Sequence, residues 1–164
     1  MKKTTDGILT AIFCDDIRQE VGNKMSFMGC YQQELFVPAV PTGLSKLCIF
    51  STALSPLERP FKSLTFRIVM DDNVELARLE IPPEAFSAMP DGVDATATRK
   101  SVSTALMFSP FMIEKPTSLR LMADTEEGEI IGPRLSIKVA DIAAPVVEAP
   151  SSEAGPSKPA KSRR

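Results

Sequence analysis

Short runs in which apolar and polar residues alternate, separated by turn-forming residues, recur along the chain from residue 8 to residue 140. In the segment 66–70 every second residue is strongly apolar, and Leu135, Ile137 and Val139 repeat the pattern near the other end. A period of two is typical of β-strands with one buried face. The 3.6-residue period of an amphipathic helix does not occur, and only residues 17–22 and 83–100 have room for short helices. The chain is therefore predicted to be all-β.

Turn chemistry divides this region into eight predicted strands. Asp71, Asp72 and Asn73 tolerate left-handed backbone conformations and predict a tight hairpin. The next strand shifts its apolar phase, which predicts a bulge near Ala77 and Arg78. Residues 46–55 are apolar on both phases and predict a central strand. The pattern favours a single β-sandwich of about seven to eight mostly antiparallel strands, of the immunoglobulin or C2 type. The predicted strands are 8–14, 25–32, 46–55, 63–71, 74–81, 102–108, 118–125 and 134–140.

The composition changes at about residue 143, where a segment rich in Pro, Ala and Ser begins. Such a segment buries too little apolar surface to offset the entropy lost on ordering, so residues 143–164 are predicted to be a disordered tail. Residues 1–142 are predicted to form one sandwich domain. The tail ends in cations that either stay solvated or tether the protein to an acidic surface or nucleic acid: Lys158, Lys161, Arg163 and Arg164.

Missing residue types restrict the chemistry that this chain can perform. It contains no histidine, which excludes Ser-His-Asp and Cys-His nucleophile activation and histidine-containing zinc sites. Neither common glycine-rich phosphate-binding motif occurs. The net charge of −2 gives no global attraction to nucleic acid, and one tyrosine with no tryptophan leaves little for stacking bases. A non-enzymatic role is favoured, with no catalytic residue and no cofactor assigned.

The most distinctive motif reads C-D-D-I-R-Q-E from Cys14 to Glu20. A turn containing Gly and Lys leads from it to S-F-M-G-C-Y, from Ser26 to Tyr31. The pattern C-D-D-x-R-x-E followed by K-x-S-x-x-G-x-Y resembles a family of uncharacterised bacterial and phage proteins, described as a domain of unknown function. The resemblance covers most of residues 8–140. It implies a compact sandwich-like domain and supplies no catalytic residues.

The same motif concentrates charge, because Asp15, Asp16 and Glu20 lie close in sequence to Arg18 and Lys24. One interpretation is a Ca²⁺ or Mg²⁺ site, since these ions take carboxylate oxygens from adjacent loops. If strands alternate in direction, the loops at 58–59, 91–94 and 126–127 are expected at the same end of the sandwich. The other interpretation is that the two cations neutralise the acids, whose side chains cap the turn. A general acid/base role for the two aspartates is a third hypothesis.

A second set of charges is basic and falls on the polar phases of several strands. If these side chains converge on one sheet, they form a face for phosphates or for an acidic partner. The alternative is a solvated face on which acids such as Glu75 and Glu80 pair with them across strands. The candidate basic residues are Arg67, Arg78, Arg120, Arg134 and Lys138.

Cysteine usage and the lack of a long apolar segment predict a cytoplasmic protein. The three cysteines form no C-x-x-C pair, and no stretch approaches the roughly 20 apolar residues of a membrane span. If strands 8–14 and 25–32 form a hairpin, Cys14 lies opposite Met25 and Cys30 lies opposite Leu9. The two sulfurs would then be too far apart to bridge. Buried free thiols are predicted.

The sequence therefore predicts a protein-binding or assembly module. Homo-oligomerisation is one route, through an edge strand or through a rim of apolar loop residues, Met89 and Met112 beside Phe86 and Phe111. The first alternative is a divalent-cation-binding C2-like module acting at lipid or another acidic surface. The second is a carboxylate-dependent hydrolase. Nucleic acid is expected to bind only through the basic tail.

Overall fold

Two sheets pack face to face in the computed structural model, which describes residues 6–87 and 96–141. The small sheet has the strand order β1 (Ile8–Cys14), β6 (Leu47–Pro56), β9 (Arg99–Phe108). The large sheet has the order β4 (Glu34–Val37), β12 (Gly128–Val139), β11 (Thr117–Thr125), β7 (Leu64–Met70), β8 (Val74–Glu80). All neighbouring strands are antiparallel except β4 and β12, which are parallel. The predicted all-β sandwich is confirmed, with β6 as the central strand of its sheet.

Four further strands and one helix complete the described part of the chain. β2 (Asp16–Glu20) and β3 (Lys24–Met28) form a hairpin, and β5 (Thr42–Leu44) pairs with β10 (Phe111–Ile113). Of the two segments with room for a short helix, residues 17–22 form most of β2 and the turn after it instead. The short helix α1 (Pro83–Ser87) lies within the second region with room for one. The tail predicted at 143–164 lies outside the described residues, as does Met89.

Alternate residues of both sheets fill the space between them. Leu9 and Phe13 of β1 and Leu47 and Ile49 of β6 pack with side chains of the large sheet such as Phe66. Burying each large apolar side chain contributes about 1.5–3 kcal/mol relative to leaving it exposed. The outward residues of both sheets are left as the two broad surfaces of the molecule.

The pairing of β1 differs from the prediction. β1 pairs with β6, so Cys14 faces Cys48 rather than Met25. β3 pairs instead with β2, across a turn in which Gly22 has φ 82° and Asn23 has φ 57°. This tight turn closes the hairpin within a few residues, so β2 and β3 satisfy each other and leave β1 free to pair with a strand distant in sequence.

The predicted turn between β7 and β8 is confirmed. Asp71 and Asp72 have φ 50° and 61°, the left-handed conformation expected of them. The predicted bulge is also present: Val69 pairs with Glu75 and Ile68 with Ala77, which leaves Leu76 as the extra residue. Within residues 6–87 and 96–141, no helix is long and apolar enough to cross a membrane.

Candidate interaction surface

Asp15 of the motif is fixed by two other motif residues. The phenol of Tyr31 donates a hydrogen bond to its Oδ1. Gly29, with φ 65°, makes room for the same carboxylate, because a β-carbon at this position would overlap Asp15 Oδ2. Burial and the bond to Asp15 raise the pKa of Tyr31 above its usual range. The motif therefore requires glycine and tyrosine at these positions for a packing reason.

Asp16 is held by two cations. Lys46 Nζ lies 2.8 Å from its Oδ1 and Arg18 Nε lies 3.2 Å from its Oδ2. These hydrogen bonds, that from Lys46 foremost, hold the pKa of Asp16 below its usual range. The predicted neutralisation by Arg18 is confirmed, whereas the second cation is Lys46 and not Lys24. The sequence around Lys46 contains no signal that predicts its contact with Asp16. The two residues meet because β6 pairs with β1 and so brings Lys46 close to the start of β2.

The remaining motif residues stabilise the hairpin. Ser26 Oγ donates to Glu20 Oε1 at 3.0 Å, and Lys24 lies opposite Glu20 in the register of β2 and β3. We call Asp15, Asp16, Arg18, Tyr31 and Lys46 the motif corner. Both aspartates have partners from within the chain, so the geometry supports a structural role for this cluster.

Two of the three loops expected to share the motif corner's end of the sandwich, 58–59 and 126–127, lie elsewhere. Arg59 pairs with Asp6 and lies 3.7 Å from Glu127. Asp6 precedes β1 whereas Asp15 follows it, so these loops lie at the opposite end of that strand. Asp91 and Asp94 lie outside the described residues. In the part of the chain that the structure describes, no three His, Cys, Asp or Glu side chains are arranged to hold a metal ion.

Two of the three thiols are buried beneath the hairpin. Cys14 and Cys48 are direct cross-strand partners, exposed by 0% and 1%. Cys14 Sγ donates to Asp16 O at 3.5 Å, and burial raises the pKa of Cys14 to about 11. Burial likewise raises the pKa of Cys48. The prediction of buried free thiols is confirmed for these two and is wrong for Cys30, which is exposed.

The candidate basic residues converge on one surface but carry no net charge there. All five lie on the outward side of the large sheet: Arg67, Arg78, Arg120, Arg134 and Lys138. Arg67 donates to Asp124 at 2.8 Å, and Asp72 accepts hydrogen bonds from two of the other arginines. The acids paired with the set are Glu34, Asp72, Glu75, Asp124 and Glu129. Equal numbers of cations and acids make this a solvated, salt-bridged face.

The outward side of the small sheet has the opposite character, because its one charge is Arg99 at the start of β9 and the ten positions beyond it carry none. Thr10, Thr52 and Ser103 form its middle row, and Thr52 and Ser103 share a hydrogen bond of 2.8 Å. Apolar rows lie on either side, and Met107 at one end is 62% exposed. We call this the uncharged face: Ile8, Thr10, Ile12, Phe50, Thr52, Leu54, Ser101, Ser103, Ala105 and Met107.

The β2–β3 hairpin extends this surface. The ring centroids of Phe27 and Phe50 are 5.1 Å apart, so the hairpin packs against one end of the uncharged face. Met25 and Met28 of the hairpin are themselves exposed. With about 3.4 Å per residue and about 4.8 Å between strands, the face measures on the order of 20 Å by 14 Å. A readable signal of this face in the sequence, not used in the predictions above, is the absence of charge from residues 8–14, 47–56 and 101–108.

A small cleft lies between α1 and the small sheet. Its lining includes Phe61, Phe86 and Val102, with Ser55 and Lys100 as polar members. Its volume of about 70 Å³ is well below the roughly 300–1,000 Å³ of sites that enclose small molecules. As far as residues 6–87 and 96–141 define it, this cleft does not suit a metabolite.

Fold and surface together define an all-β sandwich with one charged and one uncharged broad face. Comparison with protein-family models and with curated proteins finds no match to this chain. The resemblance of the motif to uncharacterised bacterial and phage proteins therefore stays a prediction.

Proposed function

We propose that this protein is a non-enzymatic module that binds another protein through the uncharged face. The observation that carries the proposal is the contrast between the two sheets. Outward arginines on the large sheet are paired with acids, whereas the ten positions of the uncharged face offer only apolar and hydroxyl groups. Depletion of charge is the compositional mark of the centre of a protein interface.

The alternatives built on the two aspartates have weaker support. A divalent cation would have to displace Lys46 and Arg18 from Asp16 and Tyr31 from Asp15. A general acid needs a carboxyl whose pKa is raised, and that of Asp16 is lowered by its cations. Both alternatives therefore require the hydrogen bonds and ion pairs of Asp15 and Asp16 to be broken or weakened.

The area of the uncharged face indicates that the partner also contacts neighbouring residues. A standard interface covers about 800 Å² on each partner, more than the uncharged face alone provides. The partner is therefore expected to contact the β2–β3 hairpin as well, where Met25 and Met28 are exposed. Methionine suits such a position, because its flexible thioether adapts to irregular surfaces.

The test compares one acidic substitution on each sheet. Thr10 is exposed in the middle row of the uncharged face, and Ile131, 65% exposed, lies on the outward side of the large sheet. Proteins retained from host extract by the tagged wild-type chain are identified, and each is purified. Its affinity is then measured by calorimetry for the wild type, Thr10→Glu and Ile131→Glu.

We expect a partner whose affinity falls at least about tenfold, or about 1.4 kcal/mol, for Thr10→Glu and is unchanged for Ile131→Glu. Matching melting curves would show that both variants are folded. A partner that binds Thr10→Glu as tightly as the wild type, or the absence of any partner, would refute the proposal.

A further inference from the structure

One edge of the small sheet, which we call the open edge, has no partner strand in the part of the chain that the structure describes. β9 runs for ten residues and hydrogen-bonds along one side to β6, without a register shift. Among residues 6–87 and 96–141, no strand pairs with its other side. At alternate residues an edge strand directs its N–H and C=O groups away from its sheet, which makes it a template for another strand.

The other edges of the sandwich carry the protection that sheet proteins normally use. β8 has the bulge at Leu76 and the outward charges of Glu75 and Arg78. β4 is only four residues long. β1 lies against β12, and its Phe13 forms a bridge with Tyr31. In β9, by contrast, residues 101–108 contain no charge, proline, glycine or bulge.

We propose that the open edge of β9 pairs antiparallel with β9 of a second copy of this chain, which joins two small sheets into one of six strands. A two-fold axis normal to the sheet leaves the core-facing side chains of both copies on the same side of the joined sheet. Because side chains alternate along a strand, this requires the axis to lie where one residue of β9 faces the same residue of the other copy. With Thr104 on the axis, Val102 of one copy lies opposite Leu106 of the other, and both are half-buried. On the outward side Ser103 lies opposite Ala105.

Charge favours the antiparallel over the parallel pairing of two copies. The only cations of β9, Arg99 and Lys100, stand at its first two positions. Antiparallel self-pairing separates Lys100 from its symmetry mate by eight residues, about 27 Å and well beyond the screening length. A parallel pair would place the cations side by side. The pairing also makes the two uncharged faces continuous, which doubles the surface offered to a partner protein.

The proposal extends the assembly role inferred above but does not depend on the uncharged face binding another protein. Sedimentation velocity of the full chain at micromolar concentrations is expected to give twice the monomer mass. The double variant Ser103→Lys, Ala105→Lys places lysines of the two copies opposite each other and is expected to be monomeric. Thr10→Glu, on β1 and away from the open edge, is the control and is expected to remain dimeric.

A cysteine at the symmetry axis tests the register. In a Cys30→Ser background, Thr104→Cys is expected to give a covalent dimer under oxidising conditions, whereas Thr52→Cys on the central strand is not. A monomeric wild type, or a double-lysine variant that stays dimeric, would overturn the proposal. Dissociation of Thr10→Glu would also overturn it, because the contact would then lie on the face. A monomeric wild type whose partner binding is still weakened by Thr10→Glu would leave the proposed function standing.

Discussion

The phenol of Tyr31 donates a hydrogen bond to the carboxylate of Asp15, and the backbone N–H of Tyr31 donates to Phe13 O at 2.8 Å. The segment that leaves β3 is thereby fastened to the end of β1. The motif C-D-D-x-R-x-E followed by S-x-x-G-x-Y is thus a set of mutually bonded positions at one corner of the small sheet. Its residues explain how the hairpin is held.

Tyr31→Phe should lower the free energy of unfolding by about 1–2 kcal/mol, because it removes the hydrogen bond from the half-buried Tyr31 to the charged carboxylate of Asp15. Urea denaturation measures the change. Ser101→Ala removes an exposed hydroxyl and is expected to change stability by less than about 0.5 kcal/mol. Equal effects of the two substitutions would contradict a structural role for the Tyr31 bond.

Gly29→Ala should destabilise the protein by about 1–3 kcal/mol, because alanine must adopt φ 65° and displace the Asp15 carboxylate. Gly128→Ala is a useful comparison: its φ is 129°, but a β-carbon there would meet no atom within 4 Å. The difference between the two losses of unfolding free energy measures the steric clash between the new β-carbon at position 29 and Asp15. That difference should shrink in a Tyr31→Phe background, where Asp15 is free to move.

Asp16 predicts a pH-dependent contribution to stability. Its pKa is lower in the folded state than the usual value, because Lys46 and Arg18 favour the carboxylate. The contribution is therefore complete above the unfolded pKa of about 3.9 and is lost as pH falls through the folded value. Asp16→Asn should be less stable than the wild type at pH 7, and the difference should narrow in strong acid. A difference that stays constant down to pH 2 would contradict the ion pairs.

The three cysteines should differ in reactivity. Cys30 is exposed, whereas burial raises the pKa of Cys14 to about 11 and also raises that of Cys48, so few thiolates form at these sites near pH 8. An aromatic disulfide reagent is expected to modify one thiol per native chain at once and all three after unfolding. Cys30→Ser should abolish the fast reaction. Rapid modification of two or more thiols would show that the hairpin does not cover the buried pair.

The motif corner should not respond to divalent cations. Because Asp16 already has Lys46 and Arg18 as partners, Ca²⁺ or Mg²⁺ at millimolar concentration is expected to leave the melting temperature unchanged. Lys46→Ala frees one carboxylate oxygen of Asp16. This variant therefore tests whether Lys46 is what prevents a cation from binding there. A clear thermal shift of the wild type would instead support the cation-binding alternative and weaken the proposed function.

Local sequence patterns predicted the long strands in which one face is apolar and the other polar, but missed β4, β5 and β10, which are only three or four residues long. The β7–β8 hairpin is the best case: alternation set its strands, Asp71 and Asp72 set its turn, and the phase shift located its bulge one residue from Leu76. The pattern failed at β2, whose charged residues show no apolar phase. β2 is a strand because β3 pairs with it across the turn at Gly22.

What the sequence determined by itself was the all-β class, most strand positions and the lack of histidine chemistry, because these depend on residue type and on short-range periodicity. The tertiary structure alone decided that β1 pairs with β6, that Cys14 faces Cys48 and that Lys46 reaches Asp16. It also decided that the five cations meet acids on one sheet, while the ten positions of the uncharged face on the other sheet carry no charge. These contacts join residues distant in sequence, and a strand that is apolar on both phases contains no local signal that selects its neighbour.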